Sequence, residues 1–176
     1  EDPEAFRQTL PFYRVRLLYT GVLYAMSKTG LDPIFCSHAI SAISVFLTLW
    51  VFAHMFKGVP PYPYWLCIPL LTLGLGFYEM ARYSSPDALG AFVWSVTFLL
   101  FLRHRTSMLA MFPILVLVRT DYLPLICLMF LYILITRRYE WKLVALSSIV
   151  TAILFLSLQS HTYNWEVLMH YMSHPN

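Results

Sequence analysis

Apolar residues come in long blocks along this chain, and short polar joints separate them. Six apolar runs can be read, roughly 36–56, 64–80, 88–102, 107–118, 122–136 and 143–158. Within them polar residues are too sparse to build a solvated helix face, so the pattern predicts helices that meet protein or lipid on every side. A square membrane crossing takes about 20 residues; the first run spans comfortably and the others are short to marginal. The expected fold is all-α, a polytopic transmembrane helix bundle forming one membrane domain over 1–176.

Residues 13–30 (YRVRLLYTGVLYAMSKTG) follow a different pattern. At 100° per residue Val15, Leu18, Tyr19, Val22, Leu23, Ala25 and Met26 fill one half of the wheel, and Arg14, Arg16, Thr20, Gly21, Ser27 and Lys28 fall in the other. This predicts a short amphipathic helix lying in the membrane interface, basic on its polar face and ended by Gly30 and Pro33. Residues 1–12 read as an outer loop and 159–176 as an outer segment.

Charge sorts the joints by side. Those after the first, third and fifth runs carry Lys57, Arg103, Arg105, Arg137, Arg138 and Lys142, whereas those after the second and fourth carry only Arg82 and Arg119. By the positive-inside rule the first set is cytoplasmic. Eight of the nine acids then fall on or near the outer side, Glu140 being the exception. Any chemistry is expected on that outer face.

Composition agrees with a membrane protein. The chain is 59% hydrophobic and only 12% charged, with a mean hydropathy of +0.64, whereas soluble domains carry roughly a quarter charged residues. Tyr and Trp crowd the ends of the runs, as in an interfacial belt. A net charge of +3, divided between loops, gives no nucleic-acid footprint. Cys36, Cys67 and Cys127 are odd in number, widely spaced and set in apolar runs, and read as small buried hydrophobes. The chain opens at Glu1 without Met, basic n-region or signal peptide. It is therefore expected to be a piece of a longer protein with a span upstream.

Three outer-face clusters could carry chemistry. Glu1, Asp2 and Glu4 could supply a general base, or form an ordinary solvated loop. Around Arg82–Asp87, Ser85 suits an N-cap, Pro86 the first helical position and Asp87 the first turn, which leaves Arg82 unexplained. In Arg119-Thr120-Asp121-Tyr122-Leu123-Pro124, two charges sit between apolar runs. Two residues apart, they would not pair side by side on a continuous helix, but a backbone broken near Pro124 would let both face a polar cavity. Arg14 and Arg16 could bind lipid phosphate or anchor the helix to anionic headgroups. The six histidines show no metal-ligand spacing beyond an i,i+4 pair, His170 and His174. P-loop, GxGxxG, GxSxG and CxxC motifs are absent from the sequence.

The order of these features resembles a known family. An acidic outer loop precedes PFYRVRLLYTGVLYAMSKTG along the membrane; then come RYSSPDALGAF, LVRTDYLPL and a late outer loop, YNWEVLMHYMSHP. This is similar to the polytopic glycosyltransferases of the GT-C class and their uncharacterised bacterial relatives. The resemblance implies transfer of a sugar from a polyprenyl-phosphate carrier to an acceptor on the outer (periplasmic or luminal) face, with inversion. It implies an integral protein of the bacterial inner membrane whose partners are the lipid-linked donor, membrane lipids and, where present, other membrane subunits. A divalent metal is compatible with the family but not required by these residues. On this likeness Asp2, or Glu1, is the catalytic base; Arg14, Arg16, Arg82 and Arg119 hold the donor phosphate; and Asp87 and Asp121 complete the substrate site. Asp121 would hold a sugar hydroxyl or orient Arg119. The missing first span and the absent outer domain of some members depart from the family. A transporter or flippase-like protein, and a non-catalytic assembly subunit, are the competing readings.

Overall fold

The computed structural model describes residues 16–56, 86–137 and 139–159. Among them every regular element is helical: α1 (Leu17–Ser27), α2 (Pro33–Phe56), α3 (Pro86–Leu102), α4 (Met108–Val118), a 3-10 turn (Thr120–Tyr122), α5 (Leu123–Thr136) and α6 (Trp141–Gln159). Two of these, over Pro33–Met55 and Trp141–Leu158, are long and apolar enough to cross a membrane.

The joints explain the helix ends. Gly30 takes a positive φ of 87°, a conformation that costs a residue with a Cβ about 1 kcal/mol or more. Asp32 then caps α2: its carboxylate accepts from the Phe35 N–H at 2.9 Å, with Pro33 at the first helical position. The helix of the 13–30 segment is shorter than its pattern predicts. Its inward face is also rotated, since Thr20 and Ser27 are half-buried while Ala25 is exposed. Their hydroxyls donate to the carbonyls of Arg16 and Leu23, which makes burial of that face inexpensive.

After α3 the chain turns through His104 at φ 53°. The Arg105 N–H reaches the Leu100 carbonyl at 3.0 Å and the His104 N–H reaches that of Phe101 at 3.1 Å. This is a Schellman closure with histidine where glycine is usual.

Helix α4 is the centre of the bundle. It packs against α1, α3 and α6, and six of its residues are buried: Met108, Leu109, Phe112, Leu115, Val116 and Val118. With Val93, Ile126, Ile133 and Val144 they form the main core. The break after Val118 reverses the chain: the Phe112 and Phe130 rings lie 4.6 Å apart. One continuous helix would hold those two residues about 27 Å apart. Helices α4 and α5 therefore form an antiparallel hairpin, and 107–136 is two helices rather than one kinked helix.

Pro113 lies inside α4 and has no N–H to donate to the Leu109 carbonyl four residues earlier. That carbonyl instead accepts from the Ser147 hydroxyl of α6 at 2.6 Å. A side chain from a neighbouring helix thus replaces the bond that proline removes, as apolar surroundings require.

Helix α2 buries small hydroxyl residues and exposes large apolar ones. The inward positions of α2 include Ser37, Ser41, Ser44 and Thr48, while Ile34, Phe35, Phe46 and Trp50 are exposed; Thr48 is 0% and Trp50 63% accessible. Ser37, Ser41, Thr48, Ser95, Thr97 and Thr151 each donate to a carbonyl three or four residues back on their own helix. Small self-satisfied hydroxyls let helices approach closely, which is the packing found between helices in lipid. Of the cysteines, Cys36 is buried, but Cys127 is exposed on the outward apolar face of α5; Cys67 lies outside the described residues.

Ser147→Ala is expected to destabilise the protein by about 1–2 kcal/mol by stranding the Leu109 carbonyl. Ala at position 113 restores the backbone donor, so in a Pro113→Ala background the same change should cost much less. Unfolding of the purified protein in mixed micelles, read by helicity across the double-mutant cycle, gives the coupling; additive effects would disprove the bond. His104→Gly is expected to stabilise by about 0.5–1 kcal/mol in the same assay.

Candidate functional site

The site follows from how the α4–α5 hairpin turns. Arg119 is extended (φ −156°, ψ 127°) and ends α4, and the 3-10 turn then leads into α5 with Pro124 in its first turn. The extended residue turns the guanidinium away from α4 and toward the N-terminus of α3. There it donates to Asp87, 32 residues earlier, through Nη1. Through Nη2 it donates to Asp121 at 2.9 Å. Arg119 and Asp121 do pair, because Arg119 is extended and breaks the α-helix between them.

Tyr122 locks the turn in place. Its ring meets Trp94 edge-on at 5.6 Å, and the Arg119 guanidinium carbon lies 5.9 Å from its centroid. The phenol hydroxyl occupies the space above Gly90, where a Cβ would come within 2.1 Å of it. Gly90 is required here for close approach rather than for an unusual backbone angle.

Electrostatics follow from this packing. Partial burial works to lower the Arg119 pKa, but the hydrogen bond to Asp121 and the charges of Asp87 and Asp121 outweigh it and raise the value above that of a free guanidinium. Burial raises the Tyr122 phenol above 10.0, against the opposing fields of Arg119 and Arg16. Arg16, at the start of α1, thus lies within electrostatic reach of the same turn. The side chains of Arg119, Asp87 and Asp121 are 26%, 41% and 63% accessible. At that exposure solvent screens the ion pairs, and each contributes about 0–1 kcal/mol. They hold geometry more than they hold the fold.

Four of the residues singled out in the sequence, Arg16, Asp87, Arg119 and Asp121, are therefore assembled at one end of the bundle. Glu1, Asp2, Arg14 and Arg82 lie outside the described residues. Sequence reading passed over Gly90, Trp94 and Tyr122 as site residues. Trp94 and Gly90 read as interior positions of an apolar run, and nothing in the spacing indicates that Tyr122 lands on them. Among the described residues no group of three or more His, Cys, Asp or Glu could hold a metal ion.

Below the turn a cleft of about 750 Å³ opens between α2, α3 and α5. Thr48, Phe52, Trp94, Phe98, Phe101 and Tyr132 are among its walls. Trp94 is shared: it lines the cleft and supports Tyr122. Through Trp94 and Tyr122 the charged cluster thus neighbours an apolar, aromatic-lined cleft. Compared with protein-family models, with curated proteins and with solved structures, the chain matches none.

Gly90→Ala is expected to destabilise by about 1–2 kcal/mol, even though alanine is the better helix former. Tyr122→Phe should recover part of that loss, and thermal melts of the single and double variants test the pairing. Because the folded Tyr122 pKa is raised, its contribution to stability should be constant below about pH 10 and fall as the phenol ionises above it. Alkaline titration followed at 295 nm should lose a component that titrates above the ordinary phenol range in Tyr122→Phe.

Proposed function

We propose that the chain is an integral membrane protein that binds an amphipathic lipid, the head at the Arg119 cluster and the chain in the cleft. The observation carrying this reading is the direct contact between a polar cluster and an apolar cleft through Trp94 and Tyr122. Buried serines and threonines on α2, with Ile34, Phe35, Phe46 and Trp50 of the same helix outward, support the membrane setting. The two helices long enough to cross agree with it.

Within that reading we propose a glycosyltransferase of the GT-C type, using a polyprenyl-phosphate sugar at the outer face of a bacterial inner membrane, in a polytopic bundle. The site chemistry divides the roles. Both terminal nitrogens of Arg119 are engaged with carboxylates, so Arg119, Asp87 and Asp121 together carry one net negative charge. Such a group suits sugar hydroxyls, which donate to Asp121, the more open carboxylate. Phosphate recognition then falls to Arg16, with Arg14 and Arg82 as further candidates from the sequence. An acceptor oxygen attacks the anomeric carbon, loses its proton to a carboxylate (Asp2 or Glu1 on the family likeness), and the lipid phosphate leaves with inversion. No step of this displacement calls on a resident metal.

Transfer of sugar from a synthetic polyprenyl-phosphate donor to acceptor, measured with the full-length protein in vesicles, is the test. Arg119→Gln and Asp121→Asn should each lower the rate about tenfold or more, equivalent to about 1.4 kcal/mol. Ser95→Phe, which fills the cleft, should raise KM for the long carrier and spare a short-chain analogue. Variants that insert, keep their helicity and transfer at the parental rate would leave the transporter or assembly-subunit reading in its place.

A further inference from the structure

A second groove lies at the opposite end of the bundle, between α4 and α6. It encloses about 470 Å³ and is lined by Thr106, Ser107, Ala110, Pro113, Leu146 and Val150, among others. Its shape has a local cause. Ala110 is small and the Pro113 ring is flat, so α4 presents a shallow floor, while Leu143, Leu146 and Val150 of α6 rise beside it. Thr106 and Ser107 bring hydroxyls to one end of the lining; beyond them it is hydrocarbon apart from Ser147, whose hydroxyl is committed to the Leu109 carbonyl.

Basic residues flank the groove in the chain. Arg105 immediately precedes Thr106, and Lys142 immediately precedes Leu143. Arg103 and Arg137 belong to the same end, set against a single described acid there, Glu140. Among the described residues, neither Arg105 nor Lys142 is in an ion pair. The N-termini of α4 and α6 also open at this end, both with the positive pole of the helix dipole toward the mouth. An apolar groove that runs into hydroxyls and cations is complementary to one class of membrane component. That component has a hydrocarbon chain attached to a phosphate.

We propose that the α4–α6 groove is a binding site for one anionic phospholipid. An acyl chain lies over Ala110 and Pro113, and the phosphate sits at the mouth with Arg105, Lys142 and the Thr106 and Ser107 hydroxyls. Basic pockets between helices on the positively charged side of a membrane protein are where anionic headgroups are bound. The site is separate from the Arg119 cluster and does not depend on the activity proposed for that cluster. Placed against Pro113 and Ser147, a bound chain also covers the stretch of α4 whose backbone bonding proline interrupts.

The experiment uses the full chain in vesicles of equal parts dioleoyl phosphatidylglycerol and dioleoyl phosphatidylcholine. Lipids retained after mild detergent extraction are counted by native mass spectrometry. One phosphatidylglycerol per protein is expected, resistant to excess inorganic phosphate because the chain contributes to binding. Arg105→Gln with Lys142→Gln should reduce its retention about 30-fold, from two lost cation–headgroup contacts. Ala110→Trp or Val150→Trp, which fill the groove and keep the charge, should also reduce it, with helicity and size-exclusion profile confirming that the variants fold. Three results overturn the proposal. One is equal retention of the two lipids. Another is loss on charge removal with no response to either groove-filling change, which marks surface electrostatics alone. The third is self-association through this face with no lipid bound, which makes a second helix the occupant.

Discussion

A carbonyl in an apolar interior needs a donor, and the Leu109 carbonyl loses its own to Pro113. The Ser147 hydroxyl supplies that donor and thereby fixes α6 against α4 at one point along their length. Because α4 is also the helix on which α1 and α3 rest, its position sets the frame for the bundle. A proline that would break a solvated helix is here accommodated by a neighbour, and the accommodation specifies how the two helices pair. The same rule is met differently by Ser37, Thr48, Ser95, Thr97 and Thr151, whose hydroxyls donate to carbonyls of their own helices. Ser147 differs in donating across helices, and it does so where a backbone donor is missing.

The polar cluster depends on that frame at one remove. Helix α4 ends at Arg119 because the chain becomes extended there, and the hairpin it forms with α5 is held by Phe112 against Phe130. Arg119 is thereby delivered to the first turn of α3, where Asp87 already has a favourable place beside the helix dipole. The ion pairs are too exposed to drive this docking. Tyr122, seated over Gly90 and against Trp94, supplies the apolar contact that does. Packing brings the charges together, and the charges then orient one another.

Two grooves of different character follow from the same economy of side chains. Where α2, α3 and α5 leave space, aromatic rings line it and the neutral-to-acidic Arg119 cluster closes one end. Where α4 and α6 leave space, small residues and proline form the floor and basic loops stand at the mouth. The ends of the bundle thus differ in charge, one carrying acids beside its bases and the other bases with the single described acid Glu140.

The sequence by itself determined that the described chain is helical and nearly where each helix lies, because runs without polar faces leave the backbone no partner but itself. It placed α3, α4, α5 and α6 to within a few residues, and it marked Arg119 and Asp121 as charges in costly positions and Asp87 as a first-turn acid of α3. It also carried the helix-ending chemistry of Gly30 and Pro33. Tertiary structure decided which charges meet, since the contact between Asp87 and Arg119 spans 32 residues and no local pattern encodes it. It decided which face of α1 turns inward, because self-satisfied hydroxyls blur the division of its wheel into polar and apolar halves. It alone revealed that a tyrosine fits over a glycine and that a serine replaces the bond a proline removes. Those two facts rest on shape and on hydrogen-bond geometry between distant segments, and residue type along the chain specifies neither.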